Sequence, residues 1–270
     1  MKGLLIYDSV GKARNEWFIE RLIESAENLG HELELVIHDG GKLSFDKVDF
    51  AIVRTINPDI NKYFEERGIT TFNNARTSEI ANDKWLTYLF AKELGVSAMS
   101  TKKPASIDDA ETSFEFPFVV KAVDGHGGSE VFSADSKQKC KEIFTKIDIR
   151  KSICQQMCSE SGVDMRVYML GGKVLAAAKR TSLSDFRSNF SLGGKAEIVP
   201  VPKEVNSTLK KVYRALGCDF VGVDFIRHGG EWILNEIEDV VGTRMLYSLT
   251  DIDAARVYVE YVINKLENRN

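Results

Sequence analysis

The chain has 270 residues, 43% of them hydrophobic and 28% charged, the mixture of an ordinary globular protein with room for a large core and more than one compact unit. With 36 basic against 40 acidic side chains the net charge is −4, which gives no general attraction to nucleic acid or to an anionic membrane surface. No apolar run approaches the ~18 residues of a membrane helix and the start MKGLLIYDS lacks the apolar core of a signal peptide, so a cytoplasmic location is expected. Cys140, Cys154, Cys158 and Cys218 have no zinc-like or redox spacing and read as reduced, partly buried thiols.

The first segment alternates strand and helix patterns. Residues 4–7 (LLIY) form a short apolar strand, and 15–29 place Phe18, Leu22, Ala26 and Leu29 on one helical stripe before Gly30. Residues 33–38 and 49–54 read as two further strands and 59–67 as a short helix closed by Gly68. Parallel strands with crossover helices imply a small open α/β unit, assigned to residues 1–75. After the first strand comes Asp8-Ser9-Val10-Gly11-Lys12 rather than GxGxxG, which argues against a dinucleotide site there.

A middle unit is assigned to residues 76–155. Asn74 or Thr77 offers a helix start, followed by an apolar stripe through Trp85, Leu86, Leu89, Phe90 and Leu94 to Gly95. Lys84 lies early in this helix, where the dipole does not favour a cation; it serves either a bound anion or simply solvent. Residues 118–123 form a strand carrying Lys121, and Val131-Phe132 the returning strand. Between them Asp124-Gly125-His126-Gly127-Gly128-Ser129 has three glycines, which let backbone N–H groups approach phosphate oxygens; an ordinary mobile turn is the competing reading.

The last unit is assigned to residues 156–270. A strand over 152–157 leads into it, and the backbone at Gln156, Met157 and Cys158 has what an adenine edge needs, one N–H and one C=O beside apolar walls. Residues 166–170 and 174–180 form a hairpin turning at Gly171-Gly172. A loop containing Arg187, Ser188 and Asn189 follows, with Phe186 and Phe190 as anchors; arginine's planar fork suits carboxylate or phosphate.

The run GVDFIRHGGEWILNEIEDVVG at 222–242 reads as two strands with carboxylates where apolar residues are expected: Asp224 in the first, Glu236 and Glu238 in the second. A three-residue connection, His228-Gly229-Gly230, makes Arg227 face Glu231 and places Asp224 diagonally across from Glu236 on one face; a two-residue turn reverses that. With the first register, three carboxylates share a face and call for a cation, magnesium or manganese in its place. An edge hairpin whose charges discourage aggregation is the competing reading.

The order of helix lysine, strand lysine with a glycine loop, QQM linker, DFRSN and Asp…Glu-x-Glu resembles the ATP-grasp superfamily, and within it the RimK-like glutamate ligases, over about residues 73–266. The resemblance implies an α+β ATP-grasp fold behind a small N-terminal α/β domain, with ATP between the middle and C-terminal units. It implies that Lys84, Lys121, Gly127 and Gly128 bind ATP phosphates, Gln156 and Met157 meet adenine, and Asp164 contacts ribose. Arg187, Ser188 and Asn189 would line the phosphate and acyl-phosphate region, Arg166 would contact substrate, and Asp224, Glu236 and Glu238 would hold magnesium. The implied activity is an ADP-forming, ATP-dependent carboxylate–amine ligase acting on an amino acid or peptide through an acyl phosphate, with Arg187, Lys121 and Arg166 as catalytic residues. Its alternatives are a D-alanine-type dipeptide ligase, a peptide-modifying ligase, or a nucleotide-binding protein that ligates nothing; homo-oligomerisation is left open. The chain departs from the family's Glu-x-Asn and Pro-Gly pattern with Glu236-Ile237-Glu238-Asp239-Val240-Val241-Gly242. Arg244, just after this turn, offers a fork for an acceptor carboxylate or is a solvated helix-start residue.

Overall fold

A computed structural model describes residues 1–125, 128, 130–182 and 195–268. The first sheet is built from β1 (Lys2–Tyr7), α1 (Ser9–Asn28), β2 (Glu32–Ile37), β3 (Phe50–Val53), α2 (Pro58–Glu65) and β4 (Thr70–Phe72). Its strands are parallel in the order β2-β1-β3-β4. Residues 4–7 are fully buried, as strands covered on both faces must be. Phe18, Ile19 and Leu22 of α1 cover one face, and Ile60 and Phe64 of α2 the other. The first helix starts six residues earlier than its apolar stripe suggests, because the Asp8 carboxylate accepts from the Gly11 N–H and caps it. The three residues of β4 are too few to show a period, so that strand was not expected.

The helix expected up to residue 94 is two: α3 (Ala75–Ala81) and α4 (Lys84–Glu93). Asn74 caps the first, and Asp83 interrupts the run by capping the second through the Trp85 and Leu86 N–H groups. The break turns α4, so that Lys84, Thr87, Phe90 and Ala91 face inward while Leu89, expected on the stripe, is exposed.

Next come β5 (Thr101–Lys102), α5 (Ile107–Glu111), β6 (Phe118–Ala122), β7 (Val131–Ala134), α6 (Lys137–Ile143) and β8 (Ser152–Gln156). They form an antiparallel sheet in the order β5-β8-β6-β7. Phe118, Val120 and Cys154 point one way, against Ala110, Cys140 and Ile143 of α5 and α6. Alternation therefore turns Val119, Lys121 and Gln155 to the opposite face, which opens on the cleft.

The largest sheet comprises β9 (Glu160–Leu170), β10 (Lys173–Thr181), β11 (Lys195–Ile198), β12 (Phe220–His228) and β13 (Glu231–Glu238). It is antiparallel, in the order β11-β10-β9-β12-β13. One face carries Met165, Val167, Met169, Val221 and Val223 under Val205, Leu209 and Val212 of α7 (Lys203–Leu216). The other changes character along its length. Tyr168, Leu170 and Phe220 pack with Tyr258 and Val262 of α9 (Ala254–Glu267), whereas Asp164, Arg166, Arg180 and Asp224 look into the cleft. The helix α8 (Arg244–Leu249) stands at the cleft's end. No helix among the described residues is long and apolar enough to cross a membrane.

Candidate active site

The cleft has a volume of about 820 Å³ and draws its walls from all three sheets. Its floor is the β12–β13 hairpin. The hairpin turn has two residues, Gly229 and Gly230, both at positive φ, with His228 opposite Glu231 and Arg227 opposite Trp232. That corrects the three-residue connection and the Arg227–Glu231 pair expected from the sequence. Such a turn alone would send Asp224 to the far face, but a bulge at Asn235 inserts one residue into β13 and brings Asp224 directly opposite Glu236. Asp224, Glu236 and Glu238 consequently share a face after all.

The shared face is compensated mainly by arginine. Arg166, beside Asp224 on β9, donates through Nε and Nη2 to its two carboxylate oxygens at 2.8 and 2.7 Å, and to Glu238 Oε1 at 2.5 Å. Arg180 on β10 bonds both oxygens of Asp164, at 2.5 and 2.8 Å, and reaches Asp224 Oδ2 at 2.8 Å. Burial alone would raise the Asp224 pKa, but the two guanidiniums outweigh it and hold the carboxyl well below the usual carboxylate range. Glu238 is bonded to one guanidinium and lies near two carboxylates; burial pushes it up to about 7 against the pull of Arg166 and, more weakly, Arg180.

Lys84 and Lys121 enter from the opposite wall. Lys84, 8% exposed, sits at the start of α4, whose first N–H is tied to the Val123 carbonyl at the end of the lysine strand. Its Nζ pairs with Glu236 Oε1 at 3.0 Å and also donates to the Gly125 carbonyl. It is therefore not a solvated lysine. Lys121 Nζ donates to Gln155 Oε1 at 2.6 Å and Asn235 Oδ1 at 3.1 Å, and burial pulls its pKa down to about 8. Gln156, Met157, Cys158, Asp164 and Gly128 line the same cleft. Gln156 spends its N–H on the Ser100 carbonyl at the end of β8, so an N–H for an adenine edge would come from the backbone beyond it. Gly127, Arg187, Ser188 and Asn189 lie outside the described residues.

Among the described residues no group of three or more acidic, histidine or cysteine side chains is placed to hold a metal. Asp224, expected with Glu236 and Glu238 to hold magnesium, is here bonded by Arg166 and Arg180, while Glu238 is met by Arg166 and Glu236 by Lys84. Glu236 and Glu238 remain hard oxygen donors on the cleft wall. They fit the usual needs of magnesium, which takes one or two carboxylates and completes its shell with water and substrate phosphate. Sequence reading missed Arg180, Gln155 and Asn235. Alternation along 173–181 would have shown Arg180 on the face opposite buried Ala177, but nothing in one strand's sequence reveals the partner across the sheet.

Residues 83–262 match the model of the RimK-like ATP-grasp domain. The chain belongs to the RimK-like ATP-grasp family. Family membership makes it an ATP-dependent ligase that forms carbon–nitrogen bonds between a carboxylate and an amine. It is 25% identical over 281 residues to a probable alpha-L-glutamate ligase of Methanococcoides burtonii, spanning 94% of this chain and 93% of that one. Its fold is that of D-alanine–D-alanine ligase from Bacillus anthracis, with a TM-score of 0.79 at 16% identity and full coverage of both chains. The RimK domain ATP-grasp protein of Sphaerobacter thermophilus superimposes with a TM-score of 0.76 at 16% identity, over 97% of this chain and 100% of that one.

Proposed function

We propose that this ligase joins an amino acid, with glutamate as the first candidate, to a carboxylate carried by an amino acid or peptide. The observation that carries the site assignment is the meeting of Lys84 with Glu236 at 3.0 Å and of Lys121 with Asn235 at 3.1 Å across the cleft. Cations from one wall and oxygen donors from the other converge where a nucleotide's phosphates and their magnesium would lie. ATP is then held between residues 76–155 and 156–270, with Lys84, Lys121 and Gly128 at the phosphates and Met157 and Cys158 at the base. Glu236 and Glu238 would hold the magnesium, which supplies charge neutralisation of the polyphosphate. Asp164, Arg180, Asp224 and Arg166 form a rigid charged floor beneath it, and residues 187–189 are assigned to the transferring phosphoryl group.

The chemistry needs positioning and charge more than a protein nucleophile. A substrate carboxylate oxygen attacks the γ-phosphorus and ADP leaves, giving an acyl phosphate. The amine then attacks the acyl carbon, inorganic phosphate leaves, and the amine proton is lost to solvent. Lysine charges facing the phosphates favour both departures. Oxygen-18 placed in the donor carboxylate should appear in the released phosphate, with ADP as the nucleotide product. AMP and pyrophosphate would instead mean adenylation and would end this reading.

A further inference from the structure

The cleft is also lined by residues of the first unit and of α8: Asp8, Val10, Gly11, Arg14 and Asn15 around the start of α1, Arg54, Thr55 and Ile56 after β3, and Gly242, Arg244 and Met245 around the start of α8. Among the described residues five arginines line the cleft, and the fold satisfies three of them. Arg166 and Arg180 hold the carboxylates of the floor. Arg54, 4% exposed, donates to the Val241 carbonyl at 2.8 Å and contacts the Tyr7 hydroxyl. Arg14 and Arg244 are different. Both are exposed, and among the described residues neither guanidinium has a hydrogen-bond or ion-pair partner. The nearby acid is already engaged: Asp8 accepts from the Gly11 N–H at 2.5 Å and the Thr55 hydroxyl at 3.1 Å.

The two helices that carry these arginines are fixed relative to each other. Trp17 meets Tyr247 edge to face at 4.8 Å, and Arg21 is paired with Asp253, which also accepts from the Tyr247 hydroxyl. Arg14 precedes Trp17 across a kink at Asn15, and Arg244 lies one turn before Tyr247; both arginines line the cleft. Beside them Val10 and Ile56 are 60% and 43% exposed, apolar side chains at a cleft mouth that a small methylene group would cover. Two planar forks with no partner among the described residues, beside apolar side chains, suit the α-carboxylate of an amino acid whose aliphatic part lies on those side chains.

We infer that Arg14 and Arg244 are specificity-determining residues which bind a free carboxylate of the amine substrate, so that the second substrate is an amino acid or peptide with its carboxylate unmasked. This rests on the ligase reading of the site and adds to it which part of the cleft receives the amine and by what group. The test is calorimetric titration of L-glutamate and of its α-amide, isoglutamine, into protein saturated with magnesium and a non-hydrolysable ATP analogue. The proteins are wild type, Arg14→Gln, Arg244→Gln and the double variant. A charge-assisted pair lost to the amide corresponds to about 10- to 100-fold, and because both arginines are exposed the lower end is expected. The wild type should prefer glutamate by about tenfold, each single variant should lose part of that preference, and the double variant should bind both ligands equally. Equal binding by the wild type, no binding of either ligand, or a preference that survives in the double variant overturns the inference. Failure of the ATP analogue itself to bind would count against the ligase reading, which the same titrations measure first.

Discussion

At the scale of the residue, Lys121 shows how a site differs from an ordinary ion pair. Its ammonium has two amide oxygens, Gln155 and Asn235, as hydrogen-bond partners, and burial lowers its pKa from the ordinary 10.5 to about 8. A lysine whose folded pKa is depressed costs stability while it is charged. That cost is fully present below pH 8 and fades as pH rises toward 10.5, where the unfolded chain also loses the proton. Evolution keeps such a group for what it binds rather than for the fold. Lys121→Ala should therefore leave thermal stability at pH 7 unchanged or higher, yet weaken ATP binding by about 10- to 100-fold, the loss of one charge-assisted hydrogen bond. The pH dependence separates the two effects. Nucleotide affinity of the wild type should fall as pH rises through 8, by up to about tenfold per unit, while the variant's affinity should show no such dependence on the lysine. Calorimetry between pH 7 and 9.5 measures both, and an equal slope in the two proteins would remove Lys121 from the phosphate site.

At the scale of the element, the β12–β13 hairpin carries the tightest constraint. Gly222 stands opposite Glu238, and the chain after Glu238 folds back over it: a Cβ added there would lie 2.6 Å from Cγ2 of the fully buried Val241. Gly222→Ala should cost about 1–3 kcal/mol, as overpacking does, and should also loosen the Val241 carbonyl that Arg54 holds. Denaturant unfolding reads the loss; an unchanged midpoint would mean the turn moves freely. This hairpin also marks how far the sequence could be read. Its two strands, its carboxylates and its glycine turn were legible because alternation and turn chemistry are local. The bulge at Asn235 was not: the inserted residue leaves no break in an apolar-polar pattern already interrupted by charges, so the shared face of Asp224 and Glu236 was anticipated from the wrong turn length. The same limit hid the Asp83 break between α3 and α4, where one capping carboxylate outweighed a continuous helical stripe. Arg166 and Arg180 as counter-ions of Asp224 depend on strand order across β10, β9 and β12, which is a property of the folded sheet.

At the scale of the whole molecule, the cleft is a junction of three sheets; the first and the largest share one apolar core, in which Leu5, Phe18 and Phe72 belong with Tyr168, Phe220 and Tyr258, and buried polar bonds fasten them further. Asn73, at the end of β4, donates to the Phe220 carbonyl at 2.9 Å and to Asp239 at 2.6 Å, and Arg54 reaches Val241. The sheet carrying Lys121 joins the floor more lightly, through Lys84 with Glu236, Lys121 with Asn235, and the Leu234 N–H on the Ser97 carbonyl. A nucleotide bound between these walls would add contacts to both. At about 100 times its dissociation constant a ligand stabilises the folded state by about 2.7 kcal/mol, which in a chain of this size raises the melting temperature by about 5–10 °C. Magnesium alone should do much less. Asp224 is already met by Arg166 and Arg180, Glu238 by Arg166 and Glu236 by Lys84, so much of the carboxylate charge is compensated before any metal arrives. We expect magnesium by itself to move the melting temperature by less than about 1 °C, and magnesium with ATP to give the full shift, because the metal's remaining ligands come from phosphate. A large shift with magnesium alone would show that the carboxylates form a cage of their own, with the arginines displaced from it.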